Sequence, residues 1–188
     1  MLQLSTVRRK LHFKIGETSL IHTASELLNK NGWILDFNVY LHTKNKNLQR
    51  DFCWSLESKS EFILSILKGI RIPNISIILK KYVHENETRD EILQIIDGKQ
   101  RLSAILDFID NKFPVIFNGE KYYFNDLDES AQYEIEHGVP LVNIAYEWIY
   151  DDGIDNVIIS DDEKIAWFKM INFAGTPQDI EHLNYLKS

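Results

Sequence analysis

The part of this sequence best suited to chemistry is a short polar and charged run, Asp97-Gly98-Lys99-Gln100-Arg101. It follows a largely apolar run at 92–96 and precedes apolar residues at helical spacing. We therefore expect a buried strand that ends at Asp97, turns at Gly98 and opens a helix. Cations are unfavourable at a helix N-terminus, because the positive end of the helix dipole already lies there. Lys99 and Arg101 in a first helical turn thus indicate that an anion completes the site.

The chemistry that this turn predicts is phosphate binding. Backbone N–H groups, the helix dipole, the Gln100 amide and the Arg101 guanidinium would converge on one anion. Arg101 would supply a bidentate contact and Lys99 a point charge. Asp97, at the carboxyl end of the strand, is placed to hold a divalent metal such as Mg²⁺ or to orient a water. The alternative is that Asp97 only caps the helix and that both cations are solvated.

A second segment that combines polar and aromatic residues lies upstream, at 48–54. Gln49 and Arg50 stand close to Phe52 and Trp54, which suits contact with a phosphate together with stacking on a base. In the alternative, Trp54 anchors the core and Arg50 forms a surface ion pair. From this segment alone, the alternative is the stronger interpretation.

Composition and spacing exclude several other kinds of site. Cys53 is the single cysteine, which excludes a disulfide framework and a cysteine-based metal cluster. The six histidines lack the spacing of zinc ligands, and no P-loop is present. No apolar run approaches the roughly 20 residues of a membrane span, and the N-terminus lacks the apolar stretch of a signal peptide. We therefore expect a cytoplasmic protein without a membrane partner.

The net charge of −7 is distributed unevenly along the chain. Residues 1–101 carry 16 Lys and Arg against 11 Asp and Glu, whereas residues 102–188 carry 5 against 17. The basic half could therefore meet a polyanion such as DNA. In the alternative, acidic surface loops only keep the protein soluble, because halves of a sequence need not be faces of a structure.

The elements that must position these residues alternate between strands and helices. Apolar spacing predicts helices at 24–29, 58–70, 102–109 and 128–137, and a last helix from Ser160 to Gly175. Short apolar or alternating runs predict strands at 33–41, 74–80, 92–97 and 140–146. Asn118-Gly119 predicts a hairpin turn, and the polar segments 44–47 and 84–91 are expected to be loops. This pattern predicts an N-terminal arm at 1–24 and one α+β domain at 25–188.

The Asp97–Arg101 run resembles the DGQQR-type motif of the DUF262 family, which occurs in GmrSD-type restriction proteins. Four further elements match that family in order: residues 48–54, residues 65–75, the strand before Asp97, and residues 171–179. The resemblance implies a ParB/sulfiredoxin-like fold, a mixed sheet with flanking helices. In this fold the strand, turn and helix form a pocket for a phosphate or a nucleotide.

The resemblance also implies the residues of the site. Asp97, Gln100 and Arg101 would be catalytic. Phosphate or nucleic acid would be bound by Gly98, Lys99, Gln49, Arg50, Asn172 and Gly175. Lys99 departs from the family pattern, in which glutamine is commonest at that position. Longer relatives add a C-terminal HNH nuclease domain, but the histidines here form no ligand pair, so we expect no such domain.

Three functions remain open on these grounds. The first is a Mg²⁺-dependent DNA endonuclease or nickase that acts in the conflict between phage and host. The second is a module that binds or hydrolyses a nucleoside triphosphate (NTP). The third is a non-catalytic module that binds DNA. In each case any further cleavage activity would come from a protein partner.

Overall fold

A computed structural model describes residues 21–22, 24, 27, 33–85 and 87–173. Most of the predicted N-terminal arm and of the predicted helix at 24–29 therefore lies outside the described residues. Gly175 lies outside them as well. Asn172 is described only by its backbone, which is helical.

The described residues contain nine strands and four α-helices with defined bounds. The strands in chain order are β1 (Ile21–His22), β2 (Trp33–Asp36), β3 (Tyr40–Leu41), β4 (Lys46–Asn47), β5 (Ile75–His84), β6 (Glu87–Asp97), β7 (Val115–Phe117), β8 (Glu120–Tyr122) and β9 (Leu141–Tyr150). The helices are α1 (Leu56–Leu67), α2 (Lys99–Ile109), α3 (Glu129–His137) and α4 (Asp161–Phe173). A single 3₁₀ turn at Phe124–Asp126 precedes α3.

The central sheet has five strands in the order β1-β9-β5-β6-β2. Strand β5 pairs antiparallel with β6 and parallel with β9, while β2 runs parallel to β6 and β1 antiparallel to β9. Two small hairpins, β3–β4 and β7–β8, lie outside this sheet. The mixture of parallel and antiparallel pairs with flanking helices confirms the predicted α+β class. The narrower ParB/sulfiredoxin-like assignment stays a prediction.

Burial on both faces of the sheet gives the domain its layers. Ile95 and Ile96 follow one another in β6, and both are fully buried. Successive side chains of a strand point to opposite faces, so both faces of the sheet are covered here. Ile95 packs in a cluster with α1, α2 and α3, whereas Ile96 packs in a cluster with α4 and the β3–β4 hairpin. The central strands are therefore covered twice, which explains their almost continuous apolar sequence.

The four helices predicted from residue 58 onward are all present, and the hairpin at Asn118-Gly119 is confirmed. Asn118 and Gly119 have φ values of 53° and 85°, and two successive positive φ values are the requirement of a type I′ turn. None of the described helices is long and apolar enough to cross a bilayer.

Three predictions about loops and strands were wrong. The predicted loop at 84–91 is strand from Glu87 onward, because Tyr82 pairs with Asp90 and Lys81 reaches Glu91 across the ladder at 3.0 Å. The predicted strand at 33–41 is broken between β2 and β3, and the predicted loop at 44–47 contains β4. The Asn47 side chain bridges this break, since its Oδ1 accepts from Val39 N at 3.0 Å.

Candidate functional site

The predicted strand, turn and helix are present, and Gly98 is the turn. Strand β6 ends at Asp97 and α2 begins at Lys99. Gly98 between them has a φ of 92°, a left-handed conformation that glycine adopts without strain. No side chain caps α2, so the alternative in which Asp97 is only a helix cap is not what the structure has.

Replacing Gly98 with alanine is expected to destabilise the domain by about 2–4 kcal/mol. The positive φ costs a side chain about 1–2 kcal/mol, and overpacking adds a similar amount. An added Cβ would lie 2.8 Å from Ile75 Cγ1 and 3.2 Å from the Arg101 guanidinium. Gly119→Ala is the matched control, because Gly119 has a φ of 85° but no atom within 4 Å of an added Cβ. Urea unfolding measures both variants, and equal losses would show that crowding at Gly98 is unimportant.

Arg101 is held in a fixed orientation by a carboxylate and two carbonyls. Its Nη2 donates to Asp97 Oδ2 at 2.6 Å, one helical turn away. Its Nη1 donates to the carbonyl of Pro73 and, at 3.4 Å, to that of Asn74. These contacts leave Nε and one N–H of Nη2 without a protein acceptor in the described part of the chain. The guanidinium is therefore positioned and still has donors for a ligand.

Lys99 is the most unusual residue of the site. The residue is only 5% exposed and lines the cleft, yet no carboxylate or carbonyl among the described residues accepts from its ammonium. The contact that it has is the ring of Phe52, whose centroid lies 4.6 Å from Lys99 Nζ. A buried ammonium is costly unless it is paired, and a ring compensates for only a small part of that cost. An anion would supply the missing partner.

Gln100 holds the upstream segment against the turn. Its Oε1 accepts from Cys53 N at 3.1 Å and from Trp54 N at 3.3 Å, and its Nε2 donates to Asp51 O at 2.8 Å. The Gln100 amide therefore both donates to and accepts from the backbone of 51–54, as a paired strand would. The two segments singled out in the sequence are joined by this side chain.

A cleft of about 220 Å³ lies where these two segments meet. Its walls contain seven of the predicted site residues, together with two aromatic residues: Gln49, Arg50, Asp97, Gly98, Lys99, Gln100, Arg101, Trp54 and Phe168. Gln49 donates to the carbonyls of Ile95 and Ile96 and so ties its segment to β6. Arg50 is exposed at the cleft.

Phe168 reaches the cleft from α4, which two buried charged residues hold against the sheet. Lys164 Nζ lies 2.8 Å from Glu147 Oε1, and Lys80 Nζ lies 3.4 Å from the other oxygen of that carboxylate. Lys164 and Phe168 are four residues apart and therefore share one helix face. The ion pair thus fixes the element that supplies one wall of the cleft.

Asp161 anchors the first turn of the same helix. Its Oδ2 accepts from Thr43 N and from Thr43 Oγ1, both at 2.7 Å. Burial acts to raise the pKa of Asp161, but hydrogen bonds from Thr43 and His42 and the charge of Lys164 outweigh it, so the pKa lies below its ordinary value. This anchor is therefore intact at neutral pH and is lost only as the pH falls through that lowered pKa.

A second cavity, of about 270 Å³, lies between α1 and α3 and contains none of the predicted site residues. It is lined by one cation, Arg71, one acid, Glu134, and mostly apolar or backbone groups. It reaches Asn74, whose carbonyl accepts from Arg101. Its lining lacks the convergent cations of the smaller cleft, so the chemistry that the motifs predict belongs to the smaller cleft.

Residues 34–183 match the family described as "GmrSD restriction endonuclease, N-terminal domain". The chain belongs to this family. The match covers both motif segments and confirms the resemblance inferred from them. No curated protein and no solved structure matches the chain.

The donors at the cleft of this GmrSD N-terminal domain do not by themselves suit a divalent metal. Among the described residues that line the cleft, Asp97 is the one carboxylate; it is already paired with Arg101 and stands among three cations. No group of three His, Cys, Asp or Glu side chains in the described ranges is arranged to hold a metal. The Mg²⁺ predicted at Asp97 stays a prediction.

Sequence reasoning missed three contributors to the site. The Pro73 and Asn74 carbonyls, which hold Arg101, lie in the segment 65–75 that matched the family without a role being assigned. Phe168 lies in the last predicted helix, to which no role at the site was assigned. The Lys164–Glu147 ion pair orients the helix face that carries Phe168, and the sequence does not reveal this pair.

Proposed function

We propose that this domain binds the phosphate groups of a nucleoside triphosphate in the Lys99 cleft. In this proposal it is the nucleotide-responsive part of a restriction system that acts on phage DNA. The observation that carries the proposal is Lys99, a residue only 5% exposed that lines the cleft and whose ammonium has no anionic partner among the described residues. The family supports the role in restriction.

The depth of the cation favours a free nucleotide over duplex DNA. Non-specific DNA binding uses exposed Lys and Arg that reach the phosphates of a stiff duplex from outside. Lys99 lies inside a small cleft, where the flexible triphosphate chain can enter and a duplex backbone cannot. The net charge of −7 also disfavours an extended DNA-binding face.

Hydrolysis of the bound triphosphate follows from the same residues. Lys99 and the free donors of Arg101 would neutralise the charge that develops on the transferred phosphoryl group. Asp97 uses Oδ2 for Arg101, and Oδ1 is left to orient a water. The water oxygen would bond to the γ-phosphorus as the bond to the β-phosphate oxygen breaks. This gives a diphosphate and inorganic phosphate, with the water proton passing through Asp97.

Phosphate release from each of the four NTPs, supplied as their Mg²⁺ complexes, tests the proposal. We expect turnover by the wild type, loss of binding by at least about tenfold in Arg101→Ala, and retained binding with slow turnover in Asp97→Asn. Asparagine still accepts from Arg101 but cannot take a proton. Lys121→Ala, an exposed lysine of β8, is the control. A wild-type protein that neither binds nor hydrolyses any NTP contradicts the proposal.

A DNA endonuclease or nickase is the second candidate, favoured by the family description and by the exposed Arg50 at the cleft. In that case Asp97 and Arg101 would act on a phosphodiester, and supercoiled plasmid with Mg²⁺ would be nicked by the wild type only. Plasmid that is bound with a steep salt dependence but stays intact would instead indicate the non-catalytic DNA-binding module.

A further inference from the structure

We infer that Phe52 is the surface on which the base of the bound nucleotide stacks, and that Gln100 is the residue that positions it. This inference rests on the proposed function, because a base is delivered here only if its phosphates occupy the cleft. It assigns separate tasks to the two sequence segments. The turn at 97–101 binds phosphate, and the segment at 51–54 binds the base.

The location and exposure of Phe52 carry the inference. Its side chain is 51% exposed, although a large aromatic ring is ordinarily buried. Its centroid lies 4.6 Å from Lys99 Nζ, the cation proposed to bind phosphate. Phe37 supports it with an edge contact, the two centroids being 5.6 Å apart. An exposed, supported ring thus stands beside the phosphate site, where a nucleotide would place its base.

Gln100 determines where this ring lies. Its amide bonds the backbone on both sides of Phe52, at Asp51 O and at Cys53 N. It also sits next to Lys99 in the first turn of α2, so the loop and the cation are fixed relative to one another. Gln100 is therefore a positioning residue, because it acts on the nucleotide through Phe52.

Stacking on a phenylalanine ring recognises a base without reading its identity, because every base has a π-face. All four nucleoside triphosphates should therefore gain affinity over inorganic tripolyphosphate, and to a similar extent. Base–aromatic contacts of this kind correspond to a gain of about 5- to 150-fold.

Calorimetric titration of the full chain with the four NTPs and with inorganic tripolyphosphate tests the inference. Phe52→Leu should lower the affinity for every NTP by about 5- to 150-fold and leave the affinity for tripolyphosphate within about twofold of the wild-type value. Phe52→Tyr should retain the wild-type values. Phe117→Leu is the matched control, since Phe117 is 50% exposed on the distant β7–β8 hairpin. It should change neither ligand.

Gln100→Met tests the positioning role through the ratio of the affinity for NTP to the affinity for tripolyphosphate. It should lower NTP affinity selectively in the wild-type background and have no further effect when Phe52 is already leucine. A loss that is the same in both backgrounds overturns the role of Gln100, because two independent contacts would be additive.

The two levels of the proposal fail in different ways. A wild-type protein that binds neither tripolyphosphate nor NTP overturns the phosphate site and the Phe52 inference together. A wild-type protein that binds both ligands, with an affinity ratio that Phe52→Leu leaves unchanged, overturns the Phe52 inference alone.

Discussion

Replacing Lys99 with methionine is expected to abolish polyphosphate binding and, at the same time, to stabilise the fold. The affinity for tripolyphosphate and for NTP should fall by about 100-fold or more, as expected when one member of a buried charge pair is removed. The free energy of unfolding should rise by about 1–2 kcal/mol, because methionine fills this largely buried position without a charge that only the cleft can solvate. For a domain of this size, that rise corresponds to a melting temperature about 3–6 °C higher.

The opposite signs of these two effects make the prediction diagnostic. Methionine matches lysine in length and fills the same volume, so packing is conserved and only the charge is lost. A structural lysine with a hidden partner would lose stability when it was replaced. Replacing a lysine that serves a ligand makes the protein more stable and abolishes binding, as is common for residues of functional sites.

Thermal unfolding and calorimetric titration of Lys99→Met measure the two effects. Lys121→Met is the control, because Lys121 is exposed on β8 and does not line the cleft. It should change neither quantity. A destabilised Lys99→Met variant that still binds tripolyphosphate would refute the assignment of Lys99.

Replacing Glu147 with leucine is expected to destabilise the domain by about 3–5 kcal/mol. The Glu147 side chain is 2% exposed, and its carboxylate serves Lys164, Lys80 and the backbone N–H of Ile159. Its removal leaves the Lys164 ammonium, on a residue only 4% exposed, buried without a partner. Breaking a buried pair in this way is among the most costly single changes in a protein.

The complementary variant, Lys164→Met, should cost less, about 1–3 kcal/mol. Glu147 then keeps Lys80 at 3.4 Å and the Ile159 N–H at 3.2 Å. The double variant Glu147→Leu/Lys164→Met should recover most of the loss, because two apolar side chains replace two charges. Urea unfolding of the three variants measures this cycle. Single losses that are equal and below about 1 kcal/mol would show that water already reaches the pair.

The Glu147 variants should also weaken ligand binding, though less than Lys99→Met does. The ion pair holds α4, and α4 brings Phe168 to the cleft. This indirect effect should disappear in the double variant, in which α4 is again anchored by packing.

The turn from β6 into α2 could be predicted from the sequence because its signals are local. An apolar run, a glycine and apolar residues at helical spacing follow one another within one short segment. The meeting of Gln49 and Arg50 with Asp97 could not be predicted from spacing, because the two segments lie far apart in the chain. The family resemblance suggested it, and the cleft lining brings them together.

The roles of the polar side chains could not be predicted, because they depend on partners distant in sequence. Gln100 is predicted to donate to a phosphate, and spacing did not indicate that its Oε1 and one N–H of its Nε2 bond the backbone of 51–54. Asp97 is predicted to hold a metal or to orient a water, and spacing did not indicate its contact with Arg101. The charged segment at 84–91 was taken for a loop because its strand character depends on cross-strand partners such as Lys81 and Glu91.

The most direct test is a crystal structure of the protein with inorganic tripolyphosphate bound. We predict phosphate oxygens about 3 Å from Lys99 Nζ and from the free donors of Arg101, within hydrogen-bonding distance. Tripolyphosphate bound at Arg71 in the other cavity, with Lys99 still covered by Phe52 and contacting no anion, would contradict the assignment of the cleft.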